Sequence, residues 1–332
     1  MPEPTYSDVH VQAALTQISV AYLQSEDSYI ADKVFPTVPV VHQADKFYTY
    51  SKDDYFRDEA QPRADATESA GSGFNLSTKS YSAAVWAIHK DIGDQTRRNA
   101  DPAVDMDVAS TKFVMQRMLI RRDRFFASQF MVGSVWGTTI TGATAGNGTT
   151  TTTYWNDDAN GDPFSDVQLG QSTILQNTGL EANTLVLAYP VYAALRKHPL
   201  VIDRIKYTSP AYAGNITPQL LAEAFDVERV LVSKAVYNTA QQGLAGSYSF
   251  IVGNNALLCH SAKAPGLWVP SAGYTFAWQG FTGLNSMGVR VLQIPMPWLG
   301  SSMVRTEAEM AFDMQIVGSD LGYFFSSIVS VI

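Results

Sequence analysis

Residues 51–79 constrain the fold most, because they form a long, charged, glycine-punctuated segment with strand-like runs on both sides. Residues 47–50 precede this segment and residues 81–88 follow it, and both runs are rich in aromatic and β-branched side chains. We predict that these runs are the two arms of one hairpin. A compact domain rarely keeps so long a connection unless it is functional or disordered. The segment is therefore expected to be an arm that lies on another molecule.

Charges of both signs fill the segment, which has few large apolar groups. They are Lys52, Asp53, Asp54, Arg57, Asp58, Glu59, Arg63, Asp65, Glu68 and Lys79. Adjacent acids could supply an acid/base pair for hydrolysis. Water screens acids on a solvated loop, however, so the alternative is a solubilising or salt-bridging loop.

Charge and cysteine content exclude several classes of protein. The net charge of −8 argues against a basic nucleic-acid surface, and the charged fraction of 16% is below the usual value of about 25%. The single Cys259 excludes an intramolecular disulfide framework. The sequence also lacks an apolar run long enough to cross a bilayer and a secretory n-region and h-region at its start. We therefore expect a protein made in a cytosol.

The clearest helix is predicted over residues 102–131. Asp101 is the expected N-cap, with Pro102 at the first helical position. The apolar positions follow the helical period and are Val104, Val108, Met115, Leu119, Phe126 and Phe130. A cluster of arginines lies in its second half, at 117, 121, 122 and 124. We interpret it as a solvated or salt-bridged face, with nucleic-acid binding as the alternative.

The first 45 residues are predicted to be an extended arm with one short helix. The helical face is carried by Val11, Leu15, Ile18 and Tyr22. Residues 34–41 are β-branched and contain two prolines, which restricts them to an edge strand or an extended segment. Either an ordinary edge strand or an arm across a neighbouring subunit fits this pattern.

Strands and helices alternate over residues 164–285, which predicts a second domain with a sheet flanked by helices. Four short β runs follow, at 289–294, 303–307, 311–317 and 324–331. We expect them to form a sheet against the long helix, so that the alternating domain is inserted into the first one. The Gly/Thr-rich residues 133–153 are predicted to be a hairpin tip or a mobile loop.

Most of the common catalytic and metal-binding sequence motifs are absent. The five histidines have no metal-site spacing, and no phosphate loop, dinucleotide fingerprint or nucleophile elbow is present. Residues 156–162 imitate a Ca²⁺ loop only in part, because the glutamate that should follow is missing. A late aromatic group could be a ligand platform, although core or interface packing is more common for such residues. Its members are Trp268, Tyr274, Phe276, Trp278 and Phe281. No cofactor, metal or catalytic residue is expected.

The order of elements resembles the major capsid protein of tailed bacteriophages, with its Hong Kong 97-type fold. Short stretches of the sequence are also similar to one branch of that family. They are residues 30–40 with 45–63, 185–207 and 308–325. The resemblance implies an α+β fold in four parts. These are an N-terminal arm (1–45), an E-loop hairpin (46–90), a P-domain with a spine helix (91–163 and 286–332) and an A-domain (164–285).

The resemblance implies a shell protein without enzymatic activity. Identical subunits would form hexamers and pentamers around double-stranded DNA, which is enclosed without sequence-specific binding. The ten charged residues named above become candidates for contacts between subunits. Portal, scaffolding and decoration proteins are the implied partners, assembly takes place in the host cytoplasm, and no membrane is involved.

Two features of some relatives are not expected here. The chain has no room for a large N-terminal scaffolding segment before its arm, which implies a separate scaffolding protein or none. Some relatives also crosslink an E-loop lysine to an asparagine of a neighbour. Lys46, Lys52 and Lys79 lie in that region, but none matches the reactive position.

Three other readings remain open at this point. An encapsulin nanocompartment has the same fold and would hold cargo enzymes instead of a genome. A carboxylate-based hydrolase would need two acids brought together in a cleft. A tail or decoration protein would have a β-rich core, and the long helix argues against it.

Overall fold

The computed structural model describes residues 23–100, 105–208, 216–266, 268–282, 289–299 and 303–330. Most helices in these ranges are short, and α4 is the long one. They are α1 Ala31–Val34, α2 Lys52–Tyr55, α3 Asp94–Asn99, α4 Met106–Phe130, α5 Pro163–Thr178, α6 Tyr189–Leu195, α7 Pro199–Thr208, α8 Pro218–Ala224 and α9 Gln279–Thr282. Three 3-10 turns add to them, at Glu26–Ser28, Gly133–Val135 and Ser319–Leu321.

The strands within the described ranges build two large sheets and two hairpins. They are β1 Thr37–Val40, β2 Ala44–Tyr50, β3 Leu76–Ser82, β4 Ala84–Ile92, β5 Thr138–Ala143, β6 Thr151–Thr153, β7 Thr184–Ala188, β8 Arg229–Ser233, β9 Val236–Asn238, β10 Tyr248–Phe250, β11 Ala256–Cys259, β12 Gly273–Trp278, β13 Val289–Pro295, β14 Val304–Ile316 and β15 Gly322–Ser326.

Strand β14 is the centre of a five-stranded sheet. It pairs antiparallel with β4 on one side, and with β13 and then β12 on the other. The sequence predicted two strands at 303–307 and 311–317, which is wrong because they are one strand of 13 residues. The polar interruption at Glu309 is compensated by Arg290 of β13, whose Nε donates to the carboxylate at 3.0 Å.

The second large sheet has six strands in the order β6-β5-β15-β11-β7-β8. It joins strands from both predicted domains, because β7, β8 and β11 lie within 164–285 while β5, β6 and β15 lie outside. Conversely, β12 lies within 164–285 but pairs in the five-stranded sheet. The sheets therefore do not coincide with the boundaries expected at 164 and 285, and the division into domains stays a prediction.

Helix α4 crosses the five-stranded sheet, in contact with β14 and β4. Its 25 residues span about 38 Å at 1.5 Å per residue. The cap is Asp105, whose side chain accepts from the amides of Asp107 and Val108, so the helix begins at Met106 and later than predicted. The expected cap Asp101, with Pro102 and Val104, lies outside the described residues.

The buried face of α4 differs partly from the predicted one. Leu119, Phe126 and Phe130 are buried as expected, but Val108 is exposed. Val114 and Met118 take the inward positions that the prediction missed. The buried stripe follows where the sheet lies and not only the spacing of apolar residues.

The predicted hairpin is present with a different second arm. Strand β2 pairs antiparallel with β3, with Phe47 opposite Lys79 and Tyr50 opposite Leu76. Residues 84–88, expected in the second arm, belong instead to β4 and pair with β14. The connection between the paired strands therefore covers residues 51–75, which we call the hairpin loop.

The N-terminal region reaches the five-stranded sheet as an edge. Strand β1 lies outermost and pairs parallel with β12, which agrees with the edge strand predicted from the prolines. The helix predicted from Val11 to Tyr22 lies outside the described residues. In the Gly/Thr region, residues 138–143 and 151–153 form β5 and β6, which pair with each other at the edge of the six-stranded sheet.

Candidate assembly surface

One face of the hairpin is fixed to the body of the molecule by stacked rings. Phe276 of β12 lies between Phe47 of β2 (5.2 Å between centroids) and Tyr81 of β3 (4.5 Å). Tyr81 and Phe276 are buried, together with Ala262 and Tyr274. One ring from each arm thus holds the hairpin against β12, and most other side chains of the hairpin are exposed.

Polar contacts tie the same hairpin to β14 and the turn that follows it. The Ser82 amide donates to Asp313 Oδ2 at 2.9 Å, and Lys79 Nζ donates to the Ile316 carbonyl at 3.3 Å. Lys52 forms an ion pair with Asp320. Two of the ten candidate residues, Lys52 and Lys79, therefore contact their own chain.

Four further candidates organise the hairpin loop itself. Asp54 accepts from the amide (2.8 Å) and the side chain (3.0 Å) of Asn75, which closes the loop at its base. Arg57 lies 3.8 Å from Asp54 and 3.7 Å from Glu59. Arg63 Nε donates to the Thr67 carbonyl. These charges shape the loop, and exposed pairs of this kind contribute little stability each.

Four acids are exposed without a partner among the described residues. They are Asp53, Asp58, Asp65 and Glu68. The loop carries six acids and three basic side chains over residues 51–75, so its net charge is negative. Of the ten candidates, these four are the ones available to a neighbour without breaking a contact.

An exposed aromatic group lies at the base of the hairpin loop, and we call it the aromatic patch: Tyr50, Tyr55, Phe74 and Trp268. Tyr50 stacks on Trp268 with 4.5 Å between centroids and lies 6.0 Å from Tyr55. Phe74 lies 5.9 Å from Tyr55. The rings are 41–69% exposed. Large apolar groups that contact one another while facing solvent are typical of interaction surfaces.

Comparison with known proteins gives this geometry a context. No family model matches the sequence. The chain is similar to the major capsid protein of Burkholderia phage BcepMu, with 29% identity over 175 residues, which are 51% of this chain and 52% of that protein. The match therefore spans about half the length of this curated relative.

Solved structures match over almost the whole chain. A phage-related protein of Bordetella bronchiseptica has a TM-score of 0.65 at 20% identity, over 92% of this chain and 94% of that one. The capsid of the cyanophage P-SCSP1u has a TM-score of 0.60 at 11% identity, over 98% and 94%. The chain has the Hong Kong 97-type fold of tailed-phage major capsid proteins. At these identities the likeness establishes the fold.

The predicted spine helix corresponds to α4, and the predicted E-loop hairpin corresponds to the β2–β3 pair. The four arginines of α4 differ in exposure: Arg122 is buried, Arg121 is half-buried, and Arg117 and Arg124 are exposed. Arg122 is buried and pairs with Asp32 at 3.3 Å, which agrees with the salt-bridged form of the predicted face. Arg121 lies over the Trp86 ring at 3.9 Å and Arg124 over the Tyr237 ring at 4.3 Å.

The other late aromatic residues pack within the capsid fold. Tyr274 and Phe276 are buried beneath the hairpin. Trp278 donates from Nε1 to the Val41 carbonyl at 2.9 Å and stacks on Phe281. Packing was the more common reading of this group, and Trp268 alone of the five joins the aromatic patch. Tyr55 and Phe74 were missed, although their aromatic type at both ends of a charged loop was a usable signal.

Reactive groups outside the hairpin have structural roles. Within the described ranges, no three His, Cys, Asp or Glu side chains are grouped to hold a metal. Asp157 accepts from the amides of Ala159 and Asn160, and Asp162 caps α5. Two carboxylates of the partial Ca²⁺ loop are therefore hydrogen-bonded to backbone amides nearby. Burial raises the pKa of the Cys259 thiol to about 12, which leaves it unreactive. None of the described helices is both long and apolar enough to span a membrane.

Proposed function

We propose that this chain is the major capsid protein of a tailed phage. Identical copies assemble into hexamers and pentamers of an icosahedral shell that encloses double-stranded DNA. The observation that carries the proposal is the agreement with a phage capsid structure over 98% of this chain, hairpin and spine helix included. The curated relative, itself a phage major capsid protein, points the same way.

The proposal gives the hairpin loop and the aromatic patch to contacts between subunits. All ten charged residues named in the sequence remain candidates, and the four unpaired acids are the most accessible of them. The aromatic patch offers the apolar area that such a contact needs, since aromatic rings dominate the energetics of many interfaces. The exposed, unpaired acids of the loop favour a neighbour with basic groups opposite them and disfavour wrong registers.

The wider role of each part follows the family. The chain is divided into the four parts that the resemblance implied: the N-terminal arm, the E-loop hairpin, the P-domain and the A-domain. DNA is held inside without sequence-specific contacts, which suits a net charge of −8 because a basic lining would retain DNA through counterion release. A portal, a scaffolding protein and decoration proteins complete the proposed set of partners. Assembly would take place in the host cytoplasm, and the final location is the virion.

The encapsulin alternative has less support, because the curated relative is a phage capsid protein. The hydrolase alternative needs two free acids on rigid elements within one cleft. The unpaired acids lie on the hairpin loop and Asp54 is engaged by Asn75, so the described geometry does not favour it.

Electron microscopy of the purified recombinant protein tests the proposal. Uniform closed particles, either spontaneous or formed with a co-expressed scaffolding protein, are expected. A protein that stays a dispersed monomer under both conditions would contradict it. Small shells that co-purify with an enzyme inside and form without phage proteins would favour the encapsulin alternative instead.

A further inference from the structure

The solvent-exposed side of α4 is basic, although the chain as a whole has a net charge of −8. Its exposed basic side chains are Lys112, Arg117 and Arg124. Two exposed apolar side chains, Val108 (47%) and Phe113 (42%), lie on the same side of the helix. We call these five residues the α4 stripe. It extends over about 24 Å from its first residue to its last, at 1.5 Å per residue.

The two acids of α4 do not neutralise the stripe. Asp107 pairs with Arg97 at 2.6 Å, and Asp123 is buried, with its carboxylate hydrogen-bonded to backbone amides of the N-terminal arm. Among the described residues, the three basic side chains of the stripe form no ion pair. Arg117 lies instead over the Phe113 ring, 5.1 Å from its centroid. The positive charge of the stripe is therefore available to a partner.

The hairpin loop is a complementary surface on the same chain. It has six acids and three basic side chains, and four of these acids are exposed and unpaired among the described residues. The aromatic patch lies at its base, so the loop presents negative charge beside exposed apolar groups. The α4 stripe presents positive charge beside exposed apolar groups. The two surfaces therefore match in both charge and polarity.

The chain does not form this contact with itself. Its hairpin is held on β12 through Phe47 and Tyr81, and Lys52 of the loop pairs with Asp320. No ion pair joins the loop to α4 within the part of the chain that the structure describes. Two different surfaces that match each other can join one copy to the next, and such head-to-tail contacts generate rings.

We propose that the hairpin loop of one copy lies on the α4 stripe of the next copy, with its unpaired acids against Lys112, Arg117 and Arg124. This inference rests on the proposed function and adds to it the surface that receives the loop. DNA is the competing occupant of a basic stripe. Three exposed cations on a chain with a net charge of −8 are a poor match for such a polyanion, whereas they suit four acids of a neighbouring copy.

Zero-length crosslinking of assembled particles tests the contact. A carbodiimide joins an amine to a carboxylate where the two already touch, and Lys112 supplies the amine of the stripe. Particles are formed from a mixture of isotope-labelled and unlabelled chains, and the crosslinked peptides are identified by mass spectrometry. We expect mixed-label peptides that join Lys112 to an acid within residues 53–68, in a yield that falls at high salt. Particles that give no such peptide would overturn the inference.

Exchange of the charges gives an independent measurement. Lys112→Glu with Arg117→Glu places acids opposite acids, so the concentration needed for assembly should rise at least about tenfold. Asp58→Lys with Glu68→Lys should have the same effect for the same reason. A chain with all four changes again has opposite charges at the contact, so it should assemble within about threefold of the unmodified concentration. If all variants keep the melting temperature of the unmodified chain and the combined variant is not rescued, the inference is wrong.

Lys197→Glu with Lys263→Glu is the matched control. It makes the same change in net charge on exposed side chains that lie on neither α4 nor the hairpin, so assembly should stay within about threefold. An equal loss in this control would show that net charge alone decides assembly, against the inference.

The remaining outcomes separate this inference from the function on which it rests. A stripe reversal that changes the DNA content of the particles but not their assembly would assign the stripe to DNA. An unmodified chain that forms no particles, alone or with a scaffolding protein, would contradict the proposed function and the contact with it. Particles without the Lys112 crosslink would contradict the position of the contact alone.

Discussion

The ring of Tyr81 lies almost parallel to the ring of Phe276, with an angle of 8° and 4.5 Å between the centroids. Tyr81 belongs to the hairpin and Phe276 to the five-stranded sheet, so this stack is the joint between the proposed contact element and the body of the subunit. The position of the hairpin loop relative to the shell wall depends on it.

Phe276→Ala should destabilise the chain by about 3–4 kcal/mol, because it removes a buried ring that both Phe47 and Tyr81 contact. Urea denaturation of the unassembled chain measures this. Tyr48→Ala on the exposed face of the hairpin is the control, with an expected change within about 0.5 kcal/mol. Similar losses in the two variants would mean that the hairpin is not docked through this stack.

Neutralising the four unpaired acids should weaken assembly and not folding. The variant is Asp53→Asn, Asp58→Asn, Asp65→Asn and Glu68→Gln together. These side chains lack partners, so the free energy of unfolding should stay within about 0.5 kcal/mol. The rate of shell formation, followed by light scattering, should fall and lose part of its dependence on salt.

Asp54→Asn with Glu59→Gln is the matched control, because it also neutralises acids of the hairpin loop, but acids that are paired with Arg57. It breaks pairs within the hairpin loop, so it should increase proteolysis between residues 51 and 75. Shells that form from the four-acid variant at the normal rate and salt dependence would remove these acids from the proposed contact.

The aromatic patch should matter to assembly more than any charge of the loop. Tyr55→Ser with Phe74→Ser removes rings that are 49% and 61% exposed, so the melting temperature of the monomer should change little. If a neighbour covers these rings, the concentration needed for assembly should rise at least about tenfold, which corresponds to about 1.4 kcal/mol. Unchanged assembly with an unchanged melting temperature would place the patch outside the interface.

The Asp91–Arg305 pair should give the stability of the sheet a sensitivity to acid. Arg305 donates from Nε (2.8 Å) and Nη2 (3.0 Å) to the two carboxylate oxygens, and this hydrogen bonding lowers the pKa of Asp91. Because the pKa of Asp91 is lower in the folded chain than in the unfolded chain, the pair stabilises the fold at pH values above the unfolded pKa. This stabilisation is lost as the pH falls through the pKa of the folded chain. Asp91→Asn should therefore be less stable than the unmodified chain at pH 6, and the difference should shrink below about pH 4.

Denaturation curves at pH 6, 4 and 3 measure this difference. Asp94→Asn alters a pair with Arg98 on the short α3 and should have little effect throughout. A difference between Asp91→Asn and the unmodified chain that is constant with pH would contradict the assignment.

The residues of a segment were enough to predict its secondary structure where that structure does not depend on contacts with distant parts of the chain. The apolar run at 185–188 predicts a buried strand, and it is buried throughout as part of β7. Thr217 followed by Pro218 is a pattern typical of a helix start, and the Thr217 side chain caps α8. The prolines at 36 and 39 restricted β1 to an edge.

The second arm of the hairpin was harder, because strand pairing is not a local property. Residues 76–82 are mostly polar and show little alternation, yet they pair with β2 along their whole length. The more strand-like residues after Ala83 pair with β14, more than 200 positions away in the chain. Nothing within either run identifies its partner.

The same limit applied to the candidate site. Arg122 was expected on a solvated or salt-bridged face, but arm residues nearly a hundred positions earlier bury it together with the neighbouring Asp123. The charges of the loop were identified, whereas the pairing of Lys52 with Asp320 and of Lys79 with Ile316 depends on the docked hairpin. The aromatic patch joins Trp268 to the hairpin, a contact that only the fold creates.

The six-stranded sheet has a consequence for protein engineering. An excised fragment 164–285 would lose β15, and with it the partner along one edge of β11, while β12 would lose β1 and β14. Open strand edges of this kind pair with other chains and promote aggregation. The segment 164–285 is therefore unsuited to being moved into another protein. A foreign epitope is better inserted in a surface turn such as residues 240–246, because all strands then keep their partners in the sheets.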